Sequence, residues 1–98
     1  MAEISITETD QRRNRAQVLD VREDFEVAEG MIPGAIHIPM GELQARLSEL
    51  DAAVPVIAIC RSGNRSARVA DALNTAGFTA DTMDGGMLAW NRAGLPTT

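Results

Sequence analysis

The chain has one side chain able to act as a soft nucleophile, Cys60, at the head of the run Cys60-Arg61-Ser62-Gly63-Asn64-Arg65-Ser66. A thiolate attacks without a separate general base. A lone cysteine is also among the most commonly buried small side chains, so its neighbours decide between the two roles. Gly63 opens backbone conformations closed to other residues, and Ser62 and Asn64 suit tight turns. A short loop of this kind turns successive N–H groups inward to form an anion nest. A helix starting just after it adds unpaired donors and the positive end of its dipole. The expectation is a Cys60 sulfur stabilised as an anion, whether thiolate or outer sulfur of a persulfide, with a lowered pKa.

All nine basic residues are arginines, and Arg61, Arg65 and Arg68 follow the cysteine within eight positions. On charge alone the three read either as a solvated helix face or as a funnel for anions, which arginine binds in a planar, bidentate way. The single histidine, His37, reads as a turn residue bonded to nearby backbone rather than as a base. One Cys and one His cannot supply a usual zinc ligand set. No metal and no cofactor are expected.

The elements needed to position Cys60 alternate between strand-like and helix-like patches, which argues an α/β fold. Strands are expected at residues 4–7, 18–21, 35–38, 54–59 and 79–83. Residues 54–59 are the most apolar run and the natural central strand, with Pro55 at its entry, where no ladder donor is needed. Helices are expected at 9–15 (capped by Thr9 or Asp10), 25–29, 41–50, 66–76 and 87–93. The second of these closes at Gly30, and the third carries the face Leu43, Leu47 and Leu50. Cys60 then falls at the carboxyl end of a buried strand, where open α/β sheets place their ligands. Trp90, Phe25 and Phe78 are expected to anchor the core. Met31, Met40, Met83 and Met87 are expected to fill it or rim a pocket.

The 98 residues, 45% hydrophobic and 23% charged, fit one domain spanning 1–98. One cysteine forms no internal disulfide, which suits a reducing compartment. No apolar run approaches the roughly 20 residues of a membrane span, and the N-terminus lacks a signal-peptide pattern. A cytoplasmic location is the expectation. Net charge −5 disfavours nucleic-acid and membrane partners.

Four runs together resemble the rhodanese-like domains in their single-domain bacterial form. They are Leu19-Asp20-Val21-Arg22-Glu23, Gly30-Met31-Ile32-Pro33-Gly34-Ala35-Ile36-His37-Ile38-Pro39, the Cys60–Ser66 loop, and Asp84-Gly85-Gly86 through Ala89-Trp90 to Ala93-Gly94-Leu95-Pro96. The resemblance covers residues 18–98. It implies a three-layer fold with a central, mostly parallel five-stranded sheet and helices on both faces. One departure is Met31, where the family often has histidine.

The resemblance also implies a thiosulfate sulfurtransferase. Cys60 would take a sulfane sulfur from thiosulfate or a related persulfide donor and pass it to cyanide, a small thiol or a protein thiol. The backbone from Arg61 through Ser62, Gly63, Asn64 and Arg65 to Ser66 would cradle the sulfur. Arg61 and Arg65 are the candidates for gripping a small anionic donor. Asp20 and Arg22 read as a structural pair holding loops in place. Gly85, Gly86 and Trp90 read as turn and core residues. A phosphatase or arsenate reductase on the same fold is the first alternative. Its loop places arginine six positions after cysteine, whereas Arg65 lies five after Cys60. A protein-interaction or sulfur-relay module is the second, with partners docking on an Arg61/Arg65/Arg68 face.

Overall fold

A computed structural model describes residues 2–98. In chain order it contains β1 (Glu3–Ile4), α1 (Ile6–Arg12), β2 (Gln17–Asp20), α2 (Asp24–Val27), β3 (Ile36–His37), two 3₁₀ segments (Met40–Glu42 and Gln44–Glu49), β4 (Val56–Ile59), α3 (Asn64–Thr75), β5 (Ala80–Met83) and α4 (Gly86–Arg92). The sheet order is β1-β5-β4-β2-β3, and every described pairing is parallel.

β4 is central because all four of its residues are buried on both faces, the mark of an inner parallel strand. Alternation then divides the core. Val56, Ala58 and Cys60 join Val69, Ala70 and Leu73 of α3 on one face, with Leu43 and Leu50 beside them. Ile57 and Ile59 join Met83, Met87 and the fully buried Trp90 on the other. The Trp90 indole N–H donates to the Pro96 carbonyl at 2.8 Å, so the ring is buried with its polar atom satisfied.

Five local expectations need correction. The first strand ends at Ile4, and Ile6 and Thr7, expected in it, open α1. Ser5 caps α1, accepting the Glu8 N–H at 3.0 Å; Thr9 is buried inside the helix, its hydroxyl donating to the Ser5 carbonyl. The helical stretch at 41–50 is two 3₁₀ segments with non-helical backbone at Arg46. There the Arg46 guanidinium is drawn to Glu42 and Glu49 and reaches the His37 carbonyl; Leu43 and Leu50 are nonetheless buried. α3 begins at Asn64, two residues before the expected start. Phe25 is 74% exposed rather than a core anchor. α2 is one short turn whose inner side is occupied by polar ties, so its aromatic ring faces outward. Met40 rims a hollow at the surface, one of the two places expected for it, and Phe78 packs at the core edge.

Candidate active site

The chain leaves β2 towards β3 on one side and leaves β4 towards β5 on the other. The carboxyl ends of β2 and β4 therefore flank a topological switch point, where the diverging loops open a crevice. The segment after β2 supplies Arg22 and Glu26; the loop after β4 supplies Cys60, Arg61 and Arg65.

Cys60 is the first residue past β4 and is 1% exposed. Three residues on, Gly63 takes a left-handed backbone (φ +112°) and forms the N-cap of α3, a conformation that favours glycine. That turn aims the Gly63 N–H at the Cys60 Sγ, 3.0 Å away. The Ser66 Oγ lies 3.4 Å from the same sulfur. Burial pushes the thiol pKa up. The Ser66 hydroxyl and the backbone N–H groups of Ser66, Gly63 and Ser62 act against it and prevail, holding the thiol below its ordinary value. Hydrogen bonds to the charged form outweigh desolvation here.

The opposite wall of the loop is set by α4. Gly85 and Gly86 both have positive φ, and a Cβ on Gly86 would overlap the Arg61 carbonyl. The close approach lets the Met87 N–H donate to the Cys60 carbonyl at 2.9 Å and the Leu88 N–H to the Arg61 carbonyl at 3.0 Å. The otherwise unpaired donors of a helix start thus hold the loop's first two carbonyls. The glycine doublet, read from sequence as a turn, shapes the site.

Arg65 is engaged on its own protein. Its guanidinium makes a two-pronged pair with Glu26, at 2.6 and 2.8 Å. That hydrogen bonding drives the Glu26 carboxyl down to about 2. Beneath it, Arg22 grips Asp20 through Nε and Nη2 and donates to the Gly30 carbonyl at 2.8 Å. The Asp20–Arg22 pair is buried, and stripping one partner from such a pair costs about 3–5 kcal/mol. His37 Nε2 lies 2.7 Å from the Arg22 carbonyl and donates to it, as a carbonyl only accepts.

The expected donor-gripping pair is therefore split in character. Arg61 is exposed at the loop mouth, with no side-chain hydrogen bond among the described residues; Arg65 is half-buried and held by Glu26. Ser62 and Asn64 are exposed, and Ser66 is buried. Arg68 is not among the residues walling the groove over the loop; it lines a separate hollow with Met40 and Leu43. The groove over the loop has a volume of about 630 Å³ and is walled by Arg61, Arg65, Glu26, Phe25, Met87 and Leu88, among others. Glu26 and the hydroxyl of Thr82, 2.6 Å from the Ser66 Oγ, were not legible as site residues. Neither carries a local motif, and Glu26 meets Arg65 across 39 positions.

Among the described residues, no group of three or more His, Cys, Asp or Glu side chains is placed to hold a metal ion. No described helix is long and apolar enough to cross a membrane.

Residues 5–93 match the family model for the rhodanese-like domain. YtwF of Bacillus subtilis, a candidate sulfurtransferase by its description, is 49% identical over 73 residues, covering 74% of this chain and 71% of the relative. A sulfurtransferase of Allochromatium vinosum is 39% identical over 80 residues, covering 81% and 75%. The crystal structure of a rhodanese-related protein from Thermoplasma volcanium superposes with a TM-score of 0.95 at 32% identity, covering 100% of this chain and 98% of the other.

Proposed function

The chain belongs to the family of rhodanese-like domains, and from that premise we propose that it is a sulfurtransferase whose sulfur carrier is Cys60 and whose donor is thiosulfate or a related anionic persulfide. The observation that carries this reading is the sulfur nest. The Gly63 N–H points at Sγ from 3.0 Å, with the Ser66 hydroxyl beside it. Such a cradle favours a sulfur anion before attack and again when the sulfur leaves.

The first step is attack of the Cys60 thiolate on the outer sulfur of thiosulfate. A bond forms between Sγ and that sulfur, the bond to the sulfonate breaks, and sulfite departs with the electron pair. Cyanide, or the thiolate of a small molecule or protein, then attacks the outer sulfur of the persulfide. The new bond forms to the acceptor, the Sγ–S bond breaks, and the Cys60 thiolate is regenerated. Donor and acceptor exchange the sulfur between themselves and Cys60 returns to the thiolate in which it began, so the cycle draws on no external oxidant or reductant.

Arg61, exposed at the loop mouth, is the residue offered for the donor's sulfonate. Arg65, paired with Glu26, braces α3 against α2 and adds positive charge near the sulfur. The groove falls within the ~300–1,000 Å³ typical of small-molecule sites and is far larger than thiosulfate requires. Cys60 itself is almost fully covered. The extra room favours a thiol acceptor larger than cyanide, with a protein thiol included. Tight closure of the loop around one sulfur atom favours sulfur transfer over phosphate chemistry.

Turnover separates these readings. With thiosulfate and either cyanide or a small thiol, the protein is expected to release sulfite, and Cys60→Ser is expected to abolish it. Hydrolysis of a phosphate ester that depends on Cys60, without sulfite release, would instead support the phosphatase reading.

A further inference from the structure

No step of the sulfur transfer uses the hydroxyl behind the cysteine loop. Thr82 lies on β5 in register with Ala58 of β4, so its side chain shares the sheet face of Ala58 and Cys60. It is 1% exposed. Its backbone N–H is committed to the Ala2 carbonyl at 3.0 Å, and its Oγ1 lies 2.6 Å from the Ser66 Oγ.

The Ser66 hydroxyl has one proton and three neighbours: the Thr82 Oγ1, the Gly63 carbonyl at 3.2 Å and the Cys60 Sγ at 3.4 Å. The carbonyl can only accept. Were Ser66 to donate to Thr82, the sulfur would lose the hydroxyl. The Thr82 proton would then have no acceptor among the described hydrogen bonds, a costly state for a buried O–H. Donation in the opposite sense leaves nothing stranded. The Ser66 proton is then free for the carbonyl or the sulfur. The carbonyl already accepts the Ala67 N–H, and a charged sulfur is the stronger attractor. Chains of this kind also polarise one another.

We infer that Thr82 is a positioning residue of the site: its hydroxyl donates to the Ser66 Oγ and so commits the Ser66 proton to the Cys60 sulfur anion. The inference rests on Cys60 as the reactive group. Its test reads ionisation of the thiol and needs no transfer activity, so failure of the proposed reaction would be seen separately.

Cys60 is the single cysteine, so thiolate absorbance followed against pH reports it alone. Thr82→Val is expected to raise the midpoint by about half to one pH unit, and Thr82→Ser to restore it. Ser66→Ala should raise it at least as far, and adding Thr82→Val to Ser66→Ala should change nothing more. Thr82→Ala serves as a second hydroxyl-free variant with a smaller side chain. Midpoints unchanged in both hydroxyl-free variants would overturn the assignment. So would a shift that persists undiminished in the Ser66→Ala background, since Thr82 would then act by packing alone.

Discussion

At Cys60 burial and hydrogen bonding pull one sulfur in opposite directions. A buried thiol resists ionisation, yet the Ser66 hydroxyl and the turned backbone at Ser62, Gly63 and Ser66 leave its pKa lowered. The small residues of the loop made that environment legible in the sequence, since only a glycine fits the left-handed turn that aims the donor. The Asp20–Arg22 pair was legible; the partner of Arg65 was not. Arg65 lies five positions after the cysteine, with no local sign that Glu26 would claim it. The kinetic consequence differs for the two arginines. Arg61→Ala is expected to raise KM for thiosulfate about tenfold or more, the worth of a charge-assisted hydrogen bond, with a smaller effect on a neutral persulfide donor. Arg65→Ala should impair both donors alike, because it loosens α2 and α3 rather than releasing an anion grip. Steady-state kinetics with the two donors checks this. Equal selectivity losses in both variants would remove the distinction.

Among the elements, the buried strands were the easiest to read. Val18-Leu19-Asp20-Val21 and the run ending at Ile59 are short and apolar, and β2 and β4 form from them inside the sheet. Pro55 stands just before β4, where its carbonyl accepts the Gln17 N–H. Residues 41–50 misled because the leucine spacing reports which face is buried, not which helix is formed. Leu43 and Leu50 are buried as expected, while the backbone leaves the helical region at Arg46. α2 misled through its length. In its single turn Glu26 is the side chain turned to Arg65, and Phe25 is left exposed. The Gly85-Gly86 doublet was legible as a turn only. Its closeness to the cysteine loop depends on β4 and β5 lying side by side, which local pattern does not reveal.

Across the whole molecule, the site is a seam between segments distant in the chain, and its charges tie function to stability. Glu26, in the α2 segment, has a folded-state pKa near 2, below its ordinary 4.5, through its bond to Arg65 of α3. A depressed carboxyl stabilises the fold above its unfolded value and loses that contribution as pH falls through the folded one. The stability gap between the native chain and Glu26→Gln should therefore be full above about pH 4.5 and close towards about pH 2, as read by urea midpoints. A gap independent of pH would show that the pair contributes nothing in solution. The parallel five-stranded sheet was expected from the family resemblance, and its crevice between β2 and β4 brings these segments to one sulfur. Everything then turns on whether that sulfur carries another. The most direct measurement is the intact mass of the protein after incubation with thiosulfate and removal of excess donor. The expected result is a gain of one sulfur atom, absent in Cys60→Ser and reversed by a thiol reductant. An unchanged mass with thiosulfate and with other sulfane-sulfur donors would contradict the assignment of Cys60 as a sulfur carrier.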